Sequence, residues 1–237
     1  RTLKYYRQTT FNRPLSMLAT IITEEQWQKL KSILLDLNVY DKPSLKKTFL
    51  GIIYRLKTGC QWRYLPSCYG KANTVFKAFR RWSATGLFYK LFKRLIQSAD
   101  TEWVSIDATH IRAHQSSAGA VGGGDQSIAK SIGGNSSKIH LAVDAHGNPL
   151  EFLVGDGITH DIKIAPMLLQ LLDLKDTEFL NADKGYDSEE FRNLAYSKGV
   201  RANIPRKKNA RTSNSHMDWL IYQARHVVEN TFANLKH

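Results

Sequence analysis

The spacing of apolar residues changes near residue 100. Upstream they recur every three or four positions, the period of helices that bury one face; downstream they mostly alternate with polar residues, the period of half-buried strands. The upstream pattern predicts four helices. Thr23-Glu24-Glu25-Gln26 reads as an N-cap and acidic first turn, leading a helix to about Leu37 that buries Trp27, Leu30, Ile33 and Leu34. Lys42-Pro43-Ser44 is a turn before a second helix, Leu45 to Lys57, with Leu50, Ile53, Tyr54 and Leu56 on its buried side and Gly59 as C-cap. After a compact aromatic turn over Gln61–Pro66, Asn73 and Thr74 open a third helix, Val75 to Trp82. A fourth covers about Leu87–Ser98.

Downstream, Glu102–Ile111 reads as a strand and Gly119–Ser137 as a flexible Gly- and Ser-rich loop. Lys138–Ala145 and Pro149–Val154 form a hairpin about Gly147-Asn148. There follow a helix (Ile162–Leu172), a short strand (Glu178–Ala182), a helix closed by Gly199 (Ser188–Ser197), a strand (Val200–Pro205), a basic loop and a last helix from near Ser215. This order predicts an α/β domain with a mixed sheet, preceded by a small all-helical domain.

Charge sharpens that division. The 237 residues carry a net +13, but residues 1–100 hold 19 Lys and Arg against 5 Asp and Glu, a net of +14, and the remainder holds 15 against 16, a net of −1. A basic binding module ahead of a near-neutral domain is the natural reading. In the third helix Lys77, Arg80 and Arg81 interleave with Phe76 and Phe79, which suits a helix-turn-helix-like surface on DNA. The same cations would also serve as the solvated face of a helical bundle. Cys60 and Cys68 lack partners for a zinc site and read as reduced thiols. No apolar run approaches the length of a membrane span, and the first residues lack a signal-peptide core. Met17 precedes the first clear helix, so residues 1–16 read as a disordered or upstream arm, 17–100 as the helical domain and 101–237 as the α/β domain.

Three acids and one helix carry the chemistry. Asp107 sits inside the strand Trp103-Val104-Ser105-Ile106-Asp107, where a carboxylate is costly unless it meets a cation or faces water. Asp183 follows the strand Phe179-Leu180-Asn181-Ala182, and ligands of open α/β sheets gather at strand ends; turn capping is its alternative role. Near the C-terminus, Tyr222, Arg225, Glu229 and Lys236 follow Y-x2-R-x3-E-x6-K, which on one continuous helix places all four within an arc of about 60°. Leu220, Ala224, Val227, Val228 and Leu235 point the other way, toward a core. Three carboxylates on separate elements could hold two hard divalent cations.

These segments resemble those of DDE transposases. Ser105-Ile106-Asp107, Asn181-Ala182-Asp183-Lys184-Gly185-Tyr186-Asp187 and the terminal helix look like the motifs of the insertion sequence 4 and 5 superfamily, most closely the insertion sequence 5 family. Gly133-Gly134 with Lys138-Ile139-His140, Val143-Asp144-Ala145-His146-Gly147-Asn148-Pro149 and Thr159-His160-Asp161 extend the match across nearly the whole chain from Met17. The resemblance implies a ribonuclease-H-like catalytic domain with Asp107, Asp183 and Glu229 as catalytic residues on two Mg2+ ions, with Mn2+ able to substitute. It implies Tyr222, Arg225 and Lys236 as contacts to DNA phosphates, with Lys184, Lys77, Arg80 and Arg81 as further DNA-binding candidates. It implies terminal inverted repeats and target DNA as partners, a homodimer on DNA and a bacterial cytoplasmic setting. Relatives continue past the position of His237, so a further helical tail is expected. The rival readings are a relative that holds transposon ends without cutting and a metal nuclease of the same fold.

Other signals are weaker. Residues 124–131 nearly spell a phosphate loop, but Ala129 stands where Gly is needed before Lys130. Asp144 and Asp187 suit turns or caps, His140 one face of a strand, and His160 a turn near the site.

Overall fold

The computed structural model describes residues 22–96, 99–113, 127–131, 133–210 and 212–236. The expected N-terminal arm, Ser98, most of the Gly-rich segment, Arg211 and His237 lie outside these. The chain divides into two compact units, Arg1–Leu95 and Ile96–His237.

The first unit holds α1 (Glu24–Asp36), α2 (Leu45–Thr58), α3 (Ala72–Ala84) and α4 (Leu87–Leu95). Thr23 and Gln26 close the expected capping box on α1, and Gly59 ends α2 in the left-handed conformation. Trp27, Phe49 and Trp82 stack through the centre of the core. Two 3-10 turns, Trp62–Tyr64 and Ser67–Tyr69, replace the aromatic turn, and Trp62 packs between Phe76 and Phe79. Gly51 permits this packing, since a Cβ there would lie 3.0 Å from the Tyr69 Cβ. Two expectations fail locally. Asn73 and Thr74 lie inside the first turn of α3, and Leu56, in the last turn of α2, is exposed.

The second unit is a mixed sheet with helices on both faces. Its strands are β1 (Trp103–Arg112), β2 (Ala129–Ser131), β3 (Gly134–Val143), β4 (Pro149–Asp156), β5 (Phe179–Asn181) and β6 (Arg201–Asn203). β3 pairs antiparallel with β1, β2 and β4, whereas β1, β5 and β6 run parallel to one another. The antiparallel strands β4, β3 and β1, continued by β5 and β6 parallel to β1, make the ribonuclease-H-like sheet that the resemblance implied, and the short β2 is a sixth strand on β3. Residues 129–131 and 134–137, read from composition as loop, are strand, because Ala129–Ser131 pairs with Gly134–Ser136.

Alternation along β1 divides the unit into two cores. Val104 and Ile106 join the larger core with α5 (Asp161–Leu171) and α6 (Glu189–Ser197). Leu141 and Val143, opposite Asp107 and Ser105 in the β3 register, face the other way and pack on Val228 and Phe232. Residues of one strand that alternate in direction therefore serve different faces, and Asp107 lies on the second.

Candidate active site

Asp107 occupies the middle of β1, on the face covered by the C-terminal helical segment. Its Oδ1 accepts from the Ala108 N–H at 2.8 Å. Asp183 lies just past β5, the parallel neighbour of β1, and caps a 3-10 turn (Lys184–Tyr186) by accepting from the Gly185 N–H at 2.8 Å.

The C-terminal helix departs from expectation. It is two helices, α7 (Trp219–Gln223) and α8 (His226–Lys236), broken at Ala224 and Arg225. α7 starts four residues after Ser215, where the Asp218 carboxylate caps the Leu220 and Ile221 N–H groups. A buried amide ladder anchors this start: Asn203 Nδ2 donates to Asn181 Oδ1 (2.8 Å) and to the Asp218 carbonyl (2.9 Å), and Asn203 Oδ1 accepts from the Asp218 N–H (2.9 Å). The break changes which apolar residues are buried. Leu220 is 80% exposed and Leu235 is exposed, while Val228, Thr231 and Phe232 pack on the sheet. Thr231 Oγ1 also donates to the Gly147 carbonyl at 2.7 Å.

The polar face of the segment nevertheless meets β1. Arg225 Nη1 donates to Asp107 Oδ2 at 3.2 Å and Nη2 to Glu229 Oε1 at 2.7 Å, so one guanidinium joins residues on two elements. Lys236 Nζ donates to Thr109 Oγ1 at 2.6 Å, on the same face of β1 as Asp107. The guanidinium lies 5.8 Å from the Tyr222 ring centroid, and that ring meets Trp219 edge-on. Burial pushes the Asp107 carboxyl above its ordinary pKa; the Ala108 N–H and Arg225 oppose the rise, and the charges of Asp183 and Glu229 add to it. The three acids thus share one electrostatic field. Tyr186, 1% exposed, has its hydroxyl pushed far up by burial and then by Asp161, Asp107 and Asp183.

The oxygen-only donor set of Asp107, Asp183 and Glu229 suits a hard divalent cation, and Arg225 is already a cation between two of its members. Among the described residues, no three Asp, Glu, His or Cys side chains converge as a set that could hold one ion. In this arrangement the positive charge next to Asp107 and Glu229 is supplied by Arg225.

The remaining candidates lie elsewhere. Lys184 is exposed in the turn after Asp183. Lys77, Arg80 and Arg81 are exposed on α3, with Arg80 over the Phe76 ring. Asp144 is fully buried and staples the 144–148 turn by accepting from His146 N, Asn148 N and Asn148 Nδ2. Asp187 pairs with the buried Arg192 at 2.8 Å. His160 is the exposed N-cap residue of α5. On the opposite face of the sheet, two matched motifs meet: buried Lys138 donates to the Thr159 carbonyl and lies 2.9 Å from Asp161 Oδ1, with His140 Nδ1 3.8 Å from the same oxygen. Burial holds the His140 ring below its ordinary pKa. Sequence reasoning missed the Asn181–Asn203–Asp218 anchor and the Thr109 contact. Asparagines that close two short strands were the available signal for the first.

Residues 98–237 match a family described as "Transposase DDE domain", and residues 22–92 match one described as "Putative transposase of IS4/5 family". An uncharacterised protein, y4sN, of Sinorhizobium fredii is 36% identical over 70 residues, which span 30% of this chain and 56% of the relative's length. A protein of Brucella ovis described as "Putative transposase for insertion sequence element IS6501" is 35% identical over 101 residues, 42% of this chain and 75% of the relative. Among solved structures, the Mos1 transposase paired-end complex with left transposon end aligns over 92% of this chain and 89% of the other, with a TM-score of 0.30 and 11% identity.

Proposed function

Because this chain belongs to the DDE transposases of the IS4/5 type, we propose that it binds the ends of an insertion sequence, cuts DNA to expose a 3′ hydroxyl and joins that hydroxyl to target DNA. The observation that carries this reading is the bridge from Asp107 through Arg225 to Glu229, with Asp183 in the same field. Asp107, Asp183 and Glu229 are the catalytic carboxylates, and they would hold Mg2+, two ions in the full set. Bound there, divalent cations supply activation of the attacking oxygen and stabilisation of the leaving one.

The chain's own residues do the rest. Asp107, Asp183 and Glu229 stand on three separate elements: β1, the end of β5 and α8. Arg225 and Lys236 hold phosphate oxygens of the DNA, and Arg225 offsets negative charge that develops on the phosphate. In the first step a water oxygen bonds to phosphorus and the strand's 3′ oxygen leaves with a proton. In the second that 3′ hydroxyl loses its proton, bonds to a target phosphorus and expels the target's 3′ oxygen. The exposed Lys77, Arg80 and Arg81 of α3 contact the phosphates of the terminal repeats, and two copies of the chain act on the paired ends.

The test is incubation with Mg2+ and duplexes carrying either the element's ends or scrambled ends. The proposal expects cutting and joining of the first alone. Binding of the ends without cutting would favour the non-cutting relative, and nicking of both duplexes without joining would favour a general nuclease.

A further inference from the structure

Arg225 satisfies Asp107 and Glu229 at once, through separate guanidinium nitrogens. Its side chain and that of Asp107 are mostly buried, at 20% and 22% exposure, so these charges are poorly screened by water. A guanidinium and a divalent cation seek the same carboxylate oxygens and repel each other. The Tyr222 ring already lies 5.8 Å from the guanidinium in this arrangement, and Lys236 adds a second cation beside β1, so a DNA phosphate arriving here meets two donors.

We propose that Arg225 is a positioning residue that couples metal loading to DNA binding. Without DNA it is the counter-ion of Asp107 and Glu229; a DNA phosphate draws it away and frees both carboxylates for the cation. The inference rests on the reading of Asp107, Asp183 and Glu229 as the metal-binding set. Linkage then requires that metal strengthen DNA binding by the same factor by which DNA strengthens metal binding.

The experiment is Mn2+ binding to the DNA-free chain, followed by electron paramagnetic resonance. Arg225→Met removes the partly buried pair with Asp107 and the more exposed pair with Glu229, and should bind Mn2+ roughly tenfold more tightly than wild type. Arg225→Lys keeps the charge and should stay within about threefold of wild type. Equal or weaker binding by Arg225→Met overturns the proposal, because that is the behaviour of an arginine that merely pins the carboxylates in place. Asp183→Asn separates this failure from failure of the underlying reading: it loses Mn2+ affinity if the metal set is correct and binds like wild type if it is not. If thermal melts show Arg225→Met unfolded, the wild type still decides. Its Mn2+ affinity should rise roughly tenfold when an end duplex is added, after subtraction of the Mn2+ held by the duplex alone, and an unchanged affinity overturns the proposal.

Discussion

Phe232→Ala should detach the helix that carries Glu229 while leaving the rest of its unit folded. Phe232 is 6% exposed and packs with Leu141, Val143 and Val228, flanked by the partly buried Ile139 and Val227. Truncating a buried Phe to Ala costs about 3–5 kcal/mol where the surroundings cannot collapse into the gap. The cluster behind α8 is small, and each of its buried aliphatic side chains contributes roughly 1.5–3 kcal/mol. The loss is therefore comparable with the docking energy of α8. What remains are Thr231 to the Gly147 carbonyl, Lys236 to Thr109 and the Arg225 pairs, all of them polar contacts. The larger core between the sheet and α5 and α6 shares no residue with this cluster. Hydrogen exchange read by mass spectrometry should show loss of protection confined to the peptides of α8, with β1, β3 and α5 protected as in wild type. Wild-type protection throughout α8, or an equal loss across the whole sheet, would refute the separation of the two cores.

Two further substitutions test the electrostatics. Burial alone would raise the Asp187 carboxyl, but the Lys207 N–H and the Arg192 guanidinium outweigh it and hold the pKa below its ordinary 3.8. A depressed folded pKa contributes stability that is complete above 3.8 and lost as pH falls through the folded value. Acid unfolding of Asp187→Asn should therefore depend less steeply on pH below 3.8 than that of wild type, and an unchanged slope would contradict the pairing. Asp107 is shifted the other way, chiefly by burial, so its ionised form opposes folding at neutral pH. Asp107→Asn should raise the melting midpoint of the metal-free protein near pH 7, with the gain vanishing below 3.8; a lowered midpoint at neutral pH would show that the Arg225 pair outweighs burial.

Local signals carried much of this architecture. The Thr23 capping box, the Gly59 C-cap and the alternation of β1 involve residues a few positions apart, and each stands as the sequence suggested. Asp107 and Asp183 drew notice because acids are unusual within or just past apolar strands. The break at Ala224 and Arg225 was not legible, because its cause is tertiary. Asn181 and Asn203 fix Asp218 where it caps a short helix, and the chain then restarts to lay Val228 and Phe232 on β3. A continuous-helix projection therefore assigned Leu220 and Leu235 to the core although both are exposed. It still grouped Arg225 with Glu229 correctly, since they are four residues apart across the start of α8. Likewise, β2 is recognisable through its pairing with β3 and not through its Gly- and Ser-rich surroundings.

The claim that Asp107, Asp183 and Glu229 form one metal-dependent site is tested most directly with Glu229→Gln, a nearly isosteric change that keeps the hydrogen-bonding capacity of the side chain and removes its charge. Wild type and variant are compared on a duplex carrying the element's end with Mg2+, scoring release of the 3′ hydroxyl and its joining to target DNA alongside DNA binding. The account predicts that the variant binds the duplex yet neither cuts nor joins it. Cutting and joining by Glu229→Gln at the wild-type rate would contradict it.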